Sequence, residues 1–235
     1  KPMPKLVVFD AYGTLLDVFS VTTVAETAYP GQGQAIAAGW RDKQIEYSRL
    51  VALSDPDPIH GSRHYMPFSE ITAAALRYTL DRLQLDHHAL PRLLEAYLRL
   101  EPFQDAKPVL VRLNAVGIRT AVLSNGDPST LAKVLEHAEL LPHFDRLISV
   151  EEARTFKTSP TAYGLVARHF PEPQTPITFV SSNGWDILGA GWFGFQTFWL
   201  NRAGLPPEAI GPAPDHVGSS LHELLPVLGI HLTNH

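Results

Sequence analysis

The chain has 235 residues, 45% of them apolar, with 19 Lys and Arg against 24 Asp and Glu and a formal net charge of −5. That length fits one large α/β domain or a core with a modest insertion, and mild acidity without a basic stripe argues against nucleic acid or an anionic membrane as partner. The absence of cysteine excludes disulfides, a thiolate nucleophile and thiolate metal ligands and fits a reducing cytoplasm; no run approaches the roughly 20 apolar residues of a membrane span, and no segment reads as a signal peptide.

Leu6–Phe9 is a short apolar run that reads as the first strand and stops on Asp10. Val18 to about Leu53 reads as helical, broken in two by Pro30-Gly31-Gln32-Gly33. Ser54–Pro67 is a turn-rich loop. Phe68–Leu83 reads as a helix with Ile71, Ala74, Ala75, Tyr78 and Leu83 on one face, and Asp86–Leu100 as another. From Pro102 onward strands and helices alternate. Helices are expected at 106–116, 129–138 and 160–170, and strands at 118–123, 147–150 and 177–180. After the turn at 181–186 come a helix through Gly191, a last strand at Gln196–Leu200, and a tail with a helix at Ser219–Leu228. The alternation implies a doubly wound parallel sheet. The all-helical stretch from 17 to 95 reads as a helical cap domain inserted after the first strand, leaving 1–16 and 96–235 as the α/β core domain.

Three turns follow apolar strands and carry polar residues: Asp10–Thr14, Ser124–Asp127 and Ser181–Asp186. In a parallel sheet such turns converge at the carboxyl edge, where open α/β sheets place their chemistry. Asp10 is there a candidate nucleophile, or else a strand-end Asp capping the next turn. An acid two places on would build a Mg²⁺ site for phosphoryl transfer, but that position is Tyr12. Ser124 and Thr14 are candidates for binding an anion or Asp10, or for capping turns. Lys157 stands before a helix, either as the partner of a carboxylate or as a solvated loop lysine. The histidines show no metal-ligand spacing, and His87-His88 read as surface residues.

The set Asp10-Ala11-Tyr12-Gly13-Thr14, Trp40-Arg41, Leu123-Ser124-Asn125-Gly126, Lys157 with Tyr163, and Ser181-Ser182-Asn183-Gly184-Trp185-Asp186 resembles the type II L-2-haloacid dehalogenases of the haloacid dehalogenase superfamily. The likeness runs in order along nearly the whole chain. It implies a Rossmann-like core with a helical cap, and metal-independent hydrolysis of short 2-haloacids without a cofactor. By resemblance, Asp10 displaces the halide from C2 and forms an ester, Arg41 receives the halide with Asn125 lining its site, and Lys157 and Asp186 help activate the water that cleaves the ester. Ser181, Asn183 and Thr14 support Asp10 and the water. Ser124 and the backbone N–H groups after Asp10, at Ala11 and Tyr12, take the substrate carboxylate. Tyr163, Phe68, Tyr12 and Trp185 line the pocket.

Departures from the pattern fall in the cap. Asp42 follows Arg41 where related chains tend to carry Gln, and the Ser54–His64 loop is long. The reading that follows is conversion of an L-2-haloacid to a D-2-hydroxyacid plus halide. The expected partners are the haloacid and the halide ion, with neither nucleic acid nor membrane, and the chain is expected to be a homodimer. A superfamily phosphatase and a non-catalytic binding protein of the same fold are the alternatives.

Overall fold

The computed structural model describes residues 5–172 and 176–231. In chain order the elements are β1 (Leu6–Phe9), β2 (Leu16–Asp17), α1 (Thr22–Ala28), α2 (Gly33–Ala52), β3 (Pro56–Asp57), β4 (Gly61–Ser62), α3 (Phe68–Arg82), α4 (Leu90–Tyr97), β5 (Glu101–Pro102) and α5 (Ala106–Ala115). There follow β6 (Arg119–Ser124), α6 (Pro128–His137), β7 (Arg146–Ser149), α7 (Pro160–Tyr163), α8 (Leu165–His169), β8 (Ile177–Ser181), α9 (Gly184–Phe193), β9 (Gln196–Leu200), β10 (His216–Gly218) and α10 (Leu224–Val227).

Six strands form one sheet in the order β10-β9-β8-β1-β6-β7, and every pairing is parallel. All four β1 residues are fully buried, as expected of a strand covered on both faces. The sheet grows from β1 in both directions, so β1 lies at the point where strand order reverses, where a crevice opens at the carboxyl edge. Phe9 pairs with Val122 and with Val180, and the Asp10 N–H donates to the Val180 carbonyl at 2.9 Å. One residue further, the register levels Asp10 with the end of β8 at Ser181.

The chain leaves the core through β2 and returns through β5. These two-residue strands pair antiparallel, Leu16 with Pro102 and Asp17 with Glu101. The segment between them is the helical cap, built from α1–α4 with a small β3–β4 hairpin. α2 and α3 bury facing stripes, with Ile36, Ala37, Trp40 and Gln44 on the first and Ile71, Thr72, Ala75, Leu76, Thr79 and Leu80 on the second.

Several elements differ from their sequence expectation. The apolar face of α3 is rotated, so that Tyr78 is exposed and Leu76 and Leu80 are buried instead. Thr72 and Thr79 share the buried side because each hydroxyl bonds back to the carbonyl four residues earlier, at 2.8 Å in both cases, which lets a polar residue sit inside. The helix expected over 86–100 begins only at Leu90, and His87 and His88 lie in the preceding turn, paired with Asp81 and Asp86. The helix expected over 160–170 divides at Gly164 into α7 and α8, and the last helix shrinks to a 3₁₀ turn at Leu221–Glu223 running into α10. Ser220 and Glu223 cap that turn reciprocally. The strands β2, β5 and β10 have no counterpart in the sequence reading. Among the described residues no helix is long and apolar enough to cross a membrane.

Candidate active site

The β1 carboxyl edge delivers Asp10 into a nearly closed site, where the residue is 5% exposed. Its two oxygens have different surroundings. Oδ2 accepts hydrogen bonds from Asn183 Nδ2 at 2.7 Å, Ser181 Oγ at 3.0 Å and Thr14 Oγ1 at 3.1 Å. Oδ1 faces the Lys157 ammonium at 3.1 Å. The donors come from the turn after β1, the end of β8 and the turn that follows it, and the loop before α7. Thr14 is itself fixed, because Ser182 N–H donates to its Oγ1 at 2.9 Å and Arg202 holds its carbonyl at 3.0 Å.

Lys157 is 1% exposed and lies between two carboxylates, with Asp186 Oδ2 at 2.8 Å on its other side. Burial pulls the Lys157 pKa down, but the charges of Asp10 and Asp186 outweigh it and hold the ammonium above its ordinary value. Its backbone N–H donates to Asn125 Oδ1 at 2.9 Å, so the turn after β6 anchors the loop that carries it. Asp186 is wholly buried in the first turn of α9. Desolvation pushes its carboxyl up to about 6, opposed by Lys157 and reinforced by the negative charge of Asp10. The two shifts are compatible, because the ammonium is shared between two carboxylates and does not fully offset the burial of Asp186. Tyr163 donates to Asp186 Oδ1 at 2.8 Å, and burial together with Asp186 lifts the phenol well above its usual pKa.

Arg41 reaches this core cluster from the cap helix α2. Its Nη2 donates to Asn183 Oδ1 at 3.2 Å and to the Tyr12 carbonyl at 3.3 Å. Asn183 thus bridges Arg41 and Asp10 through the two ends of one amide. Among the described residues Arg41 pairs with no carboxylate, so its positive charge stays available to an anion.

Ser124, wholly buried at the end of β6, accepts the Gly126 N–H at 3.0 Å and keeps its own hydroxyl proton to give. Ala11 is buried beside Asp10. Among the described residues the N–H groups of Ala11 and Tyr12 donate to no protein acceptor, which is the condition for an anion-binding concavity. The Tyr12 ring stacks on Tyr97 (centroids 5.4 Å, planes 17°) and tilts against Phe68 at 6.0 Å. These rings line a cavity of about 210 Å³ between cap and core. A Cβ on Gly126 would lie 2.9 Å from the Tyr12 ring, so the absence of a side chain there lets the aromatic sit down on the turn.

Trp185 stands apart from those aromatics. It lines a separate groove of about 700 Å³ with Asp42, Ile45, Thr158 and Leu188, and the Arg49 guanidinium lies 5.3 Å from its ring centre. Asp42, Thr158 and Trp185 directly neighbour Arg41, Lys157 and Asp186 in sequence, so this groove adjoins the polar cluster.

Asp10, Thr14, Lys157, Ser181, Asn183 and Arg41 therefore converge, with Asp186 and Tyr163 behind Lys157 and with Ser124 and Asn125 on the adjoining turn. Sequence reasoning missed four participants. Gln44 and Tyr97 contact Arg41 and Tyr12 from within the cap. Ser182 ties the β8 turn to Gly13 and Thr14. Asp127 accepts the Ser69 N–H at 2.9 Å and so joins the core to the start of α3. Ser182 and Asp127 lie in the polar turns already singled out in the sequence, Gln44 stands three residues after Arg41 and hence on the same helix face, and Tyr97 left no signal.

Comparison with known proteins gives a consistent result. The family pattern of haloacid dehalogenase-like hydrolases matches residues 4–194. An (S)-2-haloacid dehalogenase of Pseudomonas sp. (strain YL) is 40% identical over 94% of this chain and 93% of its own length. Among solved structures, the L-2-haloacid dehalogenase RSc1362 superposes with a TM-score of 0.91 at 44% identity, covering 97% of this chain and 99% of that one. The L-2-haloacid dehalogenase from Xanthobacter autotrophicus with chloropropionic acid covalently bound does so with 0.85 at 37% identity, over 97% and 99% of the two chains.

Proposed function

The chain belongs to the haloacid dehalogenase-like hydrolases, and from that premise we propose that it hydrolyses short L-2-haloalkanoic acids to D-2-hydroxyacids and halide through an ester on Asp10. The observation that carries the proposal is the Asp10 carboxylate itself: buried, held by Lys157, Thr14, Ser181 and Asn183, and joined through Asn183 to an Arg41 that has no carboxylate partner among the described residues.

The reaction runs in two displacements. The substrate carboxylate is held by Ser124 and by the N–H groups of Ala11 and Tyr12, which sets C2 in front of Asp10. A carboxylate oxygen of Asp10 attacks C2 with inversion, the carbon–halogen bond breaks, and the halide leaves with the bonding pair toward Arg41 and Asn125. Fixed donors at the point where charge develops lower the barrier without reorganising, and alignment supplies much of the rest. Splitting one hard displacement into two is the gain from the covalent step.

Ester formation removes the negative charge of Asp10. Lys157 then faces Asp186 alone, so Asp186 ionises more readily in the intermediate than in the free enzyme. Asp186 takes a proton from a water placed near Ser181 and Asn183, and the resulting hydroxide adds to Cγ of Asp10. The Cγ–O bond to the product breaks, and the departing alkoxide takes the proton back from Asp186 to leave as the hydroxyacid, with Asp10 and Asp186 returned to their starting state. Tyr163 orients Asp186 for this step.

The chain divides into a core of 1–16 and 96–235 and a cap of 17–95, with the β2–β5 pair as the supporting hinge point. It is a homodimer, a reading supported by the exposed apolar residues Leu50, Leu53 and Tyr78 on the cap helices, and a monomer by light scattering would contradict it.

The direct test is halide release from L- and D-2-chloropropionate and chloroacetate in EDTA. Chloride from the L isomer and from chloroacetate, with the D isomer inert, is the expected result. No release from any of them, or cleavage of an aryl phosphate on adding Mg²⁺, would overturn it.

A further inference from the structure

Arg41 is held by a neutral residue. Gln44 is buried in the cap, 1% exposed, and its Oε1 accepts from Arg41 Nη1 at 3.1 Å. Its Nε2 donates to Thr72 Oγ1 at 2.8 Å and to Tyr97 Oη at 3.0 Å. The amide can face only one way. Arg41 has donors alone, so the amide must turn its oxygen there. The Thr72 hydroxyl proton is already given to the Phe68 carbonyl at 2.8 Å, so Thr72 offers Gln44 a lone pair. Three cap helices, α2 through Arg41 and Gln44, α3 through Thr72 and α4 through Tyr97, thus fix one amide. Tyr97 also stacks on Tyr12, whose carbonyl accepts Arg41 Nη2.

Arg41 is half-buried, and a guanidinium drawn away from solvent is usually paired with a carboxylate. An acid at position 44 would hold the guanidinium equally well, but it would also cancel its charge. We propose that Gln44 is a positioning residue that aims Arg41 at the departing halide while leaving its positive charge uncompensated. The inference rests on the dehalogenase reading above and adds a residue and an electrostatic rule to it.

The test compares Gln44→Glu and Gln44→Met with the wild type. Glu keeps the shape and the acceptor toward Arg41 but adds a negative charge and gives up the donor to Thr72 and Tyr97. Met keeps the length, removes all of the hydrogen bonds and adds no charge, so the difference between the two variants reads the charge. The readout is kcat/KM on L-2-chloro- and L-2-bromopropionate, which covers the steps up to halide loss, together with inhibition by bromide and broadening of the chloride NMR line. For Gln44→Glu, kcat/KM on the chloro substrate should fall about 10²-fold, in the range of losing one fixed donor to a developing anion. The loss on the bromo substrate should be several-fold smaller, because the larger anion carries its charge less densely. Bromide inhibition and chloride broadening should weaken together.

Gln44→Met should lose about tenfold on both substrates through misaim of Arg41, while still broadening the chloride line. If Gln44→Glu fails to fold by circular dichroism, Gln44→Met decides alone, and wild-type kcat/KM in a folded Gln44→Met overturns the inference. So does a folded Gln44→Glu with equal losses on both halides and unchanged halide binding, which would mark a merely structural amide. A wild type that neither turns over nor broadens the chloride line overturns the dehalogenase reading as well.

Discussion

Replacing Lys157 with Met removes the one cation between two buried acids while retaining most of the aliphatic stem. Lys157 is 1% exposed and contacts Asp10 at 3.1 Å and Asp186 at 2.8 Å, so solvent screens neither pair. Removing one partner of a buried pair costs about 3–5 kcal/mol, because the other charge is left uncompensated. For a chain of this size each kcal/mol lowers Tm by about 2–4 °C, so the variant should melt about 6–20 °C lower at pH 8. The pH dependence has a definite sign. The folded Asp186 carboxyl already stands raised to about 6, so its burial erodes stability as pH rises through that value. Without the ammonium its folded pKa climbs further, and the deficit of the variant widens above about pH 6. At pH 5 Asp186 is protonated in both proteins and the gap narrows. Thermal unfolding followed by circular dichroism at pH 5 and pH 8 measures this. A Tm difference that is equal at the two pH values, or below about 2 °C at pH 8, would refute the idea that Lys157 serves as the buried counter-ion of both acids.

Other consequences follow from the same geometry. Asp10→Asn should abolish turnover and keep the fold, at a cost of about 1–3 kcal/mol. Whichever way the new amide turns, its NH₂ meets a donor, either Asn183 Nδ2 or the Lys157 ammonium; residual turnover at the wild-type rate would contradict the role of Asp10. Tyr163→Phe deletes a hydrogen bond that favours ionised Asp186, so the acid limb of kcat should move to higher pH, and an unmoved limb would remove Asp186 from ester hydrolysis. Gly126→Ala places a methyl 2.9 Å from the Tyr12 ring and 3.1 Å from its hydroxyl. It should destabilise by about 1–3 kcal/mol through overpacking and slow turnover by displacing Tyr12; a Tm and rate equal to wild type would show that the ring has room to yield.

The core sheet was legible because its strands are continuous apolar runs that stop on polar turns. Leu6–Phe9 ending at Asp10 and Ile118–Leu123 ending at Ser124 announce both the strand and the residue it delivers. The partnership of Lys157 with Asp10, 147 positions apart, has no local signature, and only the likeness of the whole motif set to a known family pointed to it. Strands of two or three residues such as β2, β5 and β10 are shorter than any period that could reveal them. The buried face of α3 is hidden in the sequence because Thr72 and Thr79 count as polar there, yet they satisfy their hydroxyls within the helix and turn inward. Gln44 and Tyr97 acquire their roles only where three helices meet, which no single-helix pattern encodes.

The central claim is that Asp10, not water, attacks the substrate, and a single turnover in ¹⁸O-labelled water with enzyme in excess over L-2-chloropropionate tests it most directly. Attack by Asp10 followed by hydrolysis at Cγ leaves the label in the Asp10 carboxylate, found in the peptide that carries it, and gives unlabelled lactate. Labelled lactate with an unlabelled Asp10 would mean that water attacks C2 directly, and the ester mechanism would fall.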